Sequence, residues 1–331
     1  MAQDRLRGIL RLIYRREMNV RSRMLSVNGD ASGTIDVRPI AAARRASPTH
    51  ILARAAAHII RRVILLVALL LSVFVMAAPL LWMVISSFEP DTETAAYPPT
   101  LWPQQWTLEN YGNLLTITQF GQWFLNSVMV GVCSTVLVIV LATMAAYAMS
   151  RFHFLGSELL GRVALLSYMV PPILLVLPIA LLVSAVHLAN NLGTIIIVYA
   201  ATLLAFGLWL LRSYFQGVEV ETEQAALIDG ASRFQAFYKV VVPQVVPGII
   251  STTIFTFNAA WSEYLFASIL LSSGSKMTLS PGISTFISQT SVYSWGVLMA
   301  AGVLMTIPVI LIFIFFQRYL VAGWSSGAIK G

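Results

Sequence analysis

Cysteine and charge are what this sequence has least of. The one cysteine, Cys133, lies inside an apolar run, so no intrachain disulfide, thiolate metal site or redox pair can be built. Only 11% of the 331 residues are charged, against about 25% in an ordinary soluble domain. With 58% hydrophobic residues, lipid is the solvent this composition fits. Histidine is scarce as well: His50, His58, His153 and His187 are scattered, without the spacing of metal ligands. A phosphate-binding loop is missing too. Gly156 and Gly161 have the separation, but Arg162-Val163 follows where Lys and Ser or Thr are required.

What charge there is sits unevenly. Residues 1–62 hold 13 Arg against Asp4, Glu17, Asp30 and Asp36, a net +9, whereas the remaining 269 residues hold 8 basic and 10 acidic groups, a net −2. The sequence pI of about 9.8 therefore belongs to the N-terminal arm, and a nucleic-acid-binding body is not expected. Residues 26–50 are rich in Ser, Gly, Pro and Ala without apolar periodicity, which predicts disorder over most of residues 1–57. Arg5–Arg16 can form a basic interfacial helix with Leu6, Ile9, Leu10 and Ile13 on one face. A dispensable tail, or a translation start at Met24, is the alternative. The arm is too long, and the apolar run after it too extended, for a cleaved secretory signal, so the first run reads as a retained anchor.

A transmembrane helix needs about 20 mostly apolar residues to cross about 30 Å of hydrocarbon. Six stretches qualify: Val63–Phe88, Phe124–Met149, Val163–Val186, Leu192–Leu211, Val245–Leu271 and Trp295–Phe316. Their apolar residues run continuously instead of alternating, so an all-α membrane fold is predicted and a barrel is not. With the N-terminus inside, every Lys and Arg except Lys276 falls on the cytoplasmic side, which predicts that both termini are cytoplasmic. The loop Glu89–Gln122 is then external, with four acids and no base.

One inner loop is long and amphipathic, about residues 216–243. Glu219–Ile228 has acids early and Ala225, Ala226 and Ile228 later, as in a short helix with negative charge at its positive dipole end. Asp229-Gly230 breaks it. Ser232 can cap a second helix in which Phe234, Phe237 and Val241 share one face, and Pro243 and Pro247 mark the start of the next span. On physics alone the two helices could simply lie along lipid headgroups.

Gln224-Ala225-Ala226-Leu227-Ile228-Asp229-Gly230-Ala231, with Phe237 and Pro243 at their spacings, resembles the EAA loop of binding-protein-dependent ABC permeases. Further stretches point to the carbohydrate class and to the subunit type without an extra periplasmic domain, similar to the maltose-type permease. These are Ala145-Ala146-Tyr147-Ala148 running into Arg151-Phe152, Trp261-Ser262-Glu263-Tyr264, and the end from Val321-Ala322-Gly323 to Gly331. The resemblance covers residues 58–331 and implies a six-helix type I importer permease in the bacterial cytoplasmic membrane. It implies a homologous second permease, two cytoplasmic ATP-binding subunits that carry the ATP and Mg, and an extracytoplasmic solute-binding protein, with no cofactor on this chain.

In that family the loop docks into the ATPase. By resemblance the ATPase-coupling residues are Glu223, Gln224, Ala225, Ala226, Asp229, Gly230, Ala231, Phe237 and Pro243, with Gly230 at the turn. Gln224 departs from the pattern, standing where the motif has Glu; Glu223 is the neighbour that could make the charged contact instead. The tail, with Ser325, Ser326, Gly327 and Lys330, is a second expected ATPase contact; a frayed polar end is the plain alternative.

Within the spans, Glu263 is the single ionisable residue, placed toward the outer face. It is read as lining the solute path with Asn258 and Trp261, or else as a carboxylate reaching the outer interface. Pro171-Pro172 and Pro178 interrupt the third span, exposing backbone groups to the path or kinking the helix. An ion-gradient-driven secondary transporter would show paired intramembrane acids or matching broken helices in two halves. One acid and no convincing repeat are present. A membrane enzyme would need clustered titratable groups at one depth, and none is seen.

Overall fold

Among the described residues, Phe120–Arg151 is the longest helix apolar enough to cross a bilayer, and the helices Leu192–Gln216 and Val242–Ser262 pack against it. The structure is a computed structural model that describes residues 48–94, 96, 102–152, 154–289 and 294–327. Among the described residues every regular element is helical. The chain divides into two units, residues 1–71 and 72–331. In chain order the elements are α1 (Pro48–Ser86), α2 (Asp91–Thr94), α3 (Glu109–Ile117), α4 (Phe120–Arg151), α5 (Ser157–Met169), α6 (Pro172–Ala185) and α7 (Leu192–Gln216). They continue with α8 (Val220–Ile228), α9 (Arg233–Ala236), a π-turn (Phe237–Val241), α10 (Val242–Ser262), α11 (Leu265–Leu270), α12 (Leu279–Gln289) and α13 (Trp295–Gly327).

Among the described residues five helical stretches are long and apolar enough to span a bilayer, and the bent pair α5–α6, counted as one span, gives six. Residues 48–57 form the first turns of α1. The expectations for residues 1–47 lie outside the described residues. Continuous apolar sequence on all sides leaves Leu69, Phe74 and Met76 of α1 exposed on this chain, ready for lipid or another subunit.

The centre of the second unit is the packing of α4 against α7 and α10. Small and hydroxyl residues let these helices approach, as between helices in lipid. A methyl at Gly207 of α7 would lie 2.9 Å from Val138 Cγ1 and 3.4 Å from Ala142 Cβ of α4. Two of the buried hydroxyls bond within their own helices, Ser134 to the Val130 carbonyl and Thr252 to the Gly248 carbonyl.

Two expected spans differ. Val163–Val186 is not one kinked helix: α5 and α6 meet at 99° across Val170-Pro171. Pro172 sits in the first turn of α6, and the residues before the two prolines are extended, Val170 at φ −70°, ψ 122° and Pro171 at φ −58°, ψ 129°. A residue preceding proline is pushed out of the helical region, so two in succession end one helix and start another. Pro178, by contrast, is accommodated inside α6. The fifth span does not run helically to Leu271 either; it stops at Ser262, Glu263 is extended, and α11 follows.

Candidate functional site: the two-helix loop between α7 and α10

The loop between α7 and α10 folds as α8, a tight turn and α9. The turn satisfies the carbonyls at the end of α8 without a side chain: Ala231 N–H donates to the Ala226 carbonyl at 3.0 Å and Gly230 N–H to the Leu227 carbonyl at 3.1 Å. This nested pair needs a left-handed residue just past the helix end, and Gly230 supplies it at φ +89°. At the start of α9, Ser232 and Gln235 cap each other's backbone, Gln235 N–H donating to Ser232 Oγ and Ser232 N–H to Gln235 Oε1. The π-turn then carries the chain into α10, with Pro243 in the first turn of that helix.

The residues singled out from sequence divide by side. Gln224, Ala225, Asp229, Gly230 and Pro243 are exposed; Ala226, Ala231 and Phe237 are half-buried. Ile228 and Phe234 also stand out, at 86% and 75% exposure. Phe234 therefore does not share a buried face with Val241, because the π-turn adds a residue between them and rotates the apolar stripe.

Glu223 differs most from expectation. It is 7% exposed and faces the body of the chain, so it is not free to offer a charge outward in place of Gln224. Arg151 Nε, at the C-terminal end of α4, donates to Glu223 Oε2 at 2.8 Å, and Tyr147 Oη donates to Oε1 at 2.5 Å. Arg151 also donates from Nη2 to the Val218 carbonyl, at the hinge between α7 and α8. Aromatic rings wall this ion pair: Tyr147 lies 4.6 Å from Phe237 and 6.0 Å from both Phe152 and Phe215, and the Arg233 guanidinium stands over Phe152. Two charges held out of water need such complete bonding, since either alone would be costly. The arrangement fixes α8 to α4 at one end while leaving its other face open. Tyr147 and Arg151 were visible in the sequence only as a stretch running out of the second span; nothing in the spacing paired them with Glu223, 76 and 72 residues away.

At the opposite end of α10, Glu263 accepts from the Tyr199 hydroxyl and from the backbone N–H of Phe266 at 2.8 Å and Ala267 at 3.2 Å. It caps α11 across the break in the span. Trp261 is buried, its Nε1 donating to the Met305 carbonyl of α13 at 3.1 Å. Asn258 alone of the three is exposed, beside a cavity of about 200 Å³ between α10 and α13 walled by Ile254, Phe255, Phe257 and Phe313. Ser325, Ser326 and Gly327 end α13, and Lys330 lies outside the described residues.

Residues 138–326 match the binding-protein-dependent transport system inner membrane component family. The diacetylchitobiose uptake system permease protein NgcG of Streptomyces coelicolor is 34% identical over 282 residues, covering 84% of this chain and 93% of that protein. The trehalose/maltose transport system permease protein MalG of Thermococcus litoralis is 31% identical over 276 residues, covering 83% and 99%. A solved bacterial ABC transporter involved in the import of alginate shares the fold, with TM-score 0.65 and 23% identity over 78% of this chain and 96% of its own. The chain is thus a multi-pass inner-membrane protein and belongs to the binding-protein-dependent transport system inner membrane components, the permease subunits of ABC importers.

Proposed function

We propose that this chain forms half of the translocation path for a sugar, oligosaccharide or polyol, beside a homologous second permease, and that α8–α9 docks on a cytoplasmic ATP-hydrolysing subunit. The observation that carries the docking is the two-sided character of α8. One side is fixed to α4 through Glu223, Arg151 and Tyr147, and the other leaves Gln224, Ala225, Ile228 and Asp229 open. A helix tied rigidly at one face and bare at the other passes a push from a partner directly to the spans.

Hydrolysis is assigned to the partner, which carries ATP and Mg; this chain converts the closure of two ATPase subunits into a change of access. Solute arrives on an extracytoplasmic binding protein, and both termini lie in the cytoplasm with the basic residues. The sugar class is supported by the names of the relatives, which include diacetylchitobiose and trehalose/maltose systems. The last turn of α13, with Ser325 to Gly327, is a second ATPase contact in this reading, and Asn258 lines the solute path while Glu263 and Trp261 hold its wall.

Gly230→Pro in the assembled complex tests the coupling. Proline cannot adopt φ +89° and has no N–H to give the Leu227 carbonyl. Uptake and solute-stimulated ATP hydrolysis are expected to be lost with membrane insertion intact; unchanged uptake would overturn the assignment. Uptake that survived ATP depletion and collapsed with the proton gradient would overturn the importer mechanism itself.

A further inference from the structure

A second polar site lies far from α8, just past the outer end of α1. Glu89 is 2% exposed, and its Oε1 meets no hydrogen-bond donor among the described residues. A buried carboxylate oxygen left without a partner is costly, so its retention calls for a ligand. The backbone there is firmly held: the Glu89 carbonyl accepts from Asn110 Nδ2 at 2.7 Å, and Asn110 also bonds the Ser87 carbonyl. The side chain is therefore presented rather than loose.

Glu89 stands in the wall of a cavity of about 280 Å³, with Trp82, Glu93, Thr94, Trp295 and Met299. Glu93 is held in place in turn, its Oε2 accepting from Gln104 N–H at 2.9 Å. Burial raises the Glu89 carboxyl above its usual range, a hydrogen bond from Ser86 works against that rise, and the charge of Glu93 adds to it. Two carboxylates with no base between residues 89 and 122 make the site strongly negative. A bare metal ion is too small for a space many times the roughly 30 Å³ of a water molecule. Two indoles on the walls favour an organic cation, which gains from the ring faces as well as from the carboxylates.

We propose that this cleft seats an alkylammonium or guanidinium group, the end of a Lys or Arg side chain on the extracytoplasmic solute-binding protein. The proposal rests on the reading above, that the outer face of the chain receives such a protein. Solutes of the proposed class are neutral sugars and polyols, which bring no such cation, whereas a docking protein surface carries Lys and Arg.

The test uses the importer assembled from its own subunits in lipid nanodiscs, with the cognate binding protein titrated in at several salt concentrations. Glu89→Gln is expected to weaken docking roughly tenfold or more and to flatten its salt dependence, and Trp82→Leu to weaken it less. Both variants should melt cooperatively, which separates lost docking from lost folding. Butylammonium chloride should compete with docking to the wild-type complex and not to Glu89→Gln. Docking that is unchanged in affinity and salt slope in Glu89→Gln would overturn the proposal. Saturable, Glu89-dependent butylammonium binding with docking unchanged would assign the cleft to a free amine and overturn the protein side chain as its source. If the wild-type complex docks no binding protein at all, the functional reading falls, and the proposal with it.

Discussion

Glu223 and Glu89 are both buried acids, yet opposite outcomes follow from removing their charge, because one has a cation and the other does not. Glu223 is bonded on both oxygens by Arg151 and Tyr147, with the ion-pair side chains 8% and 9% exposed. Glu223→Ala leaves the Arg151 guanidinium buried without its anion and is expected to lower stability by about 3–5 kcal/mol. Thermal unfolding of the purified complex checks this, and Arg151→Met together with Glu223→Leu should recover most of the loss, since an apolar pair of similar volume avoids the stranded charge. Glu89 behaves in reverse. Its carboxyl is raised above its unfolded value, so the folded chain holds that proton more tightly than the unfolded one. The associated stability is fully present below the unfolded carboxylate range, around pH 4, and is lost as pH rises through the folded value. Glu89→Gln should therefore melt higher than wild type at pH 7 with the difference closing near pH 4; a variant less stable at pH 7 would show that the buried charge is already compensated.

Among the elements, α9 is the most locally determined. Four residues cannot hold themselves as a helix in water, so the reciprocal cap between Ser232 and Gln235 carries much of the turn. Ser232→Ala should cost about 1 kcal/mol, read as faster amide hydrogen exchange over residues 233–241 with α8 unaffected. The cap at Ser232 and the break at Gly230 were legible because each depends on residues within a few positions of itself. The spans were legible for the same reason, as unbroken apolar runs, although the breaks inside them were not. Whether Pro171-Pro172 bends a helix mildly or turns it by 99° depends on what packs beyond the break, and Pro178, seven residues on, is absorbed without a break. The bonds of Glu263 were illegible too, because nothing local shows that the helix ends beside it, with Tyr199 and two backbone N–H groups taking both oxygens. The Arg151–Glu223 pair lies across 72 residues, a separation at which no local pattern speaks.

At the scale of the whole molecule, family membership and a count of charges bear on different things: the first sets the fold, the second sets which way it faces. Every Lys and Arg outside Lys276 falls on one side of the six spans, so the proposed orientation keeps them in the cytoplasm with both termini and puts the loop holding Lys276 outside. In the structure Lys276 Nζ donates to the Asn190 carbonyl, and Asn190 in turn accepts from Ser272 and Ser273, tying the turn before α7 to the one after α11. Lys239 lies in the π-turn beyond α9 and is exposed. Because Cys133 is the single cysteine, Cys133→Ser gives a clean background for labelling. In intact spheroplasts Lys276→Cys should react with a membrane-impermeant maleimide, while Lys239→Cys should react only after the membrane is opened. The reverse pattern would put α8 and α9 on the outer face, where no ATP-hydrolysing subunit could reach them, and would overturn the orientation and the coupling together.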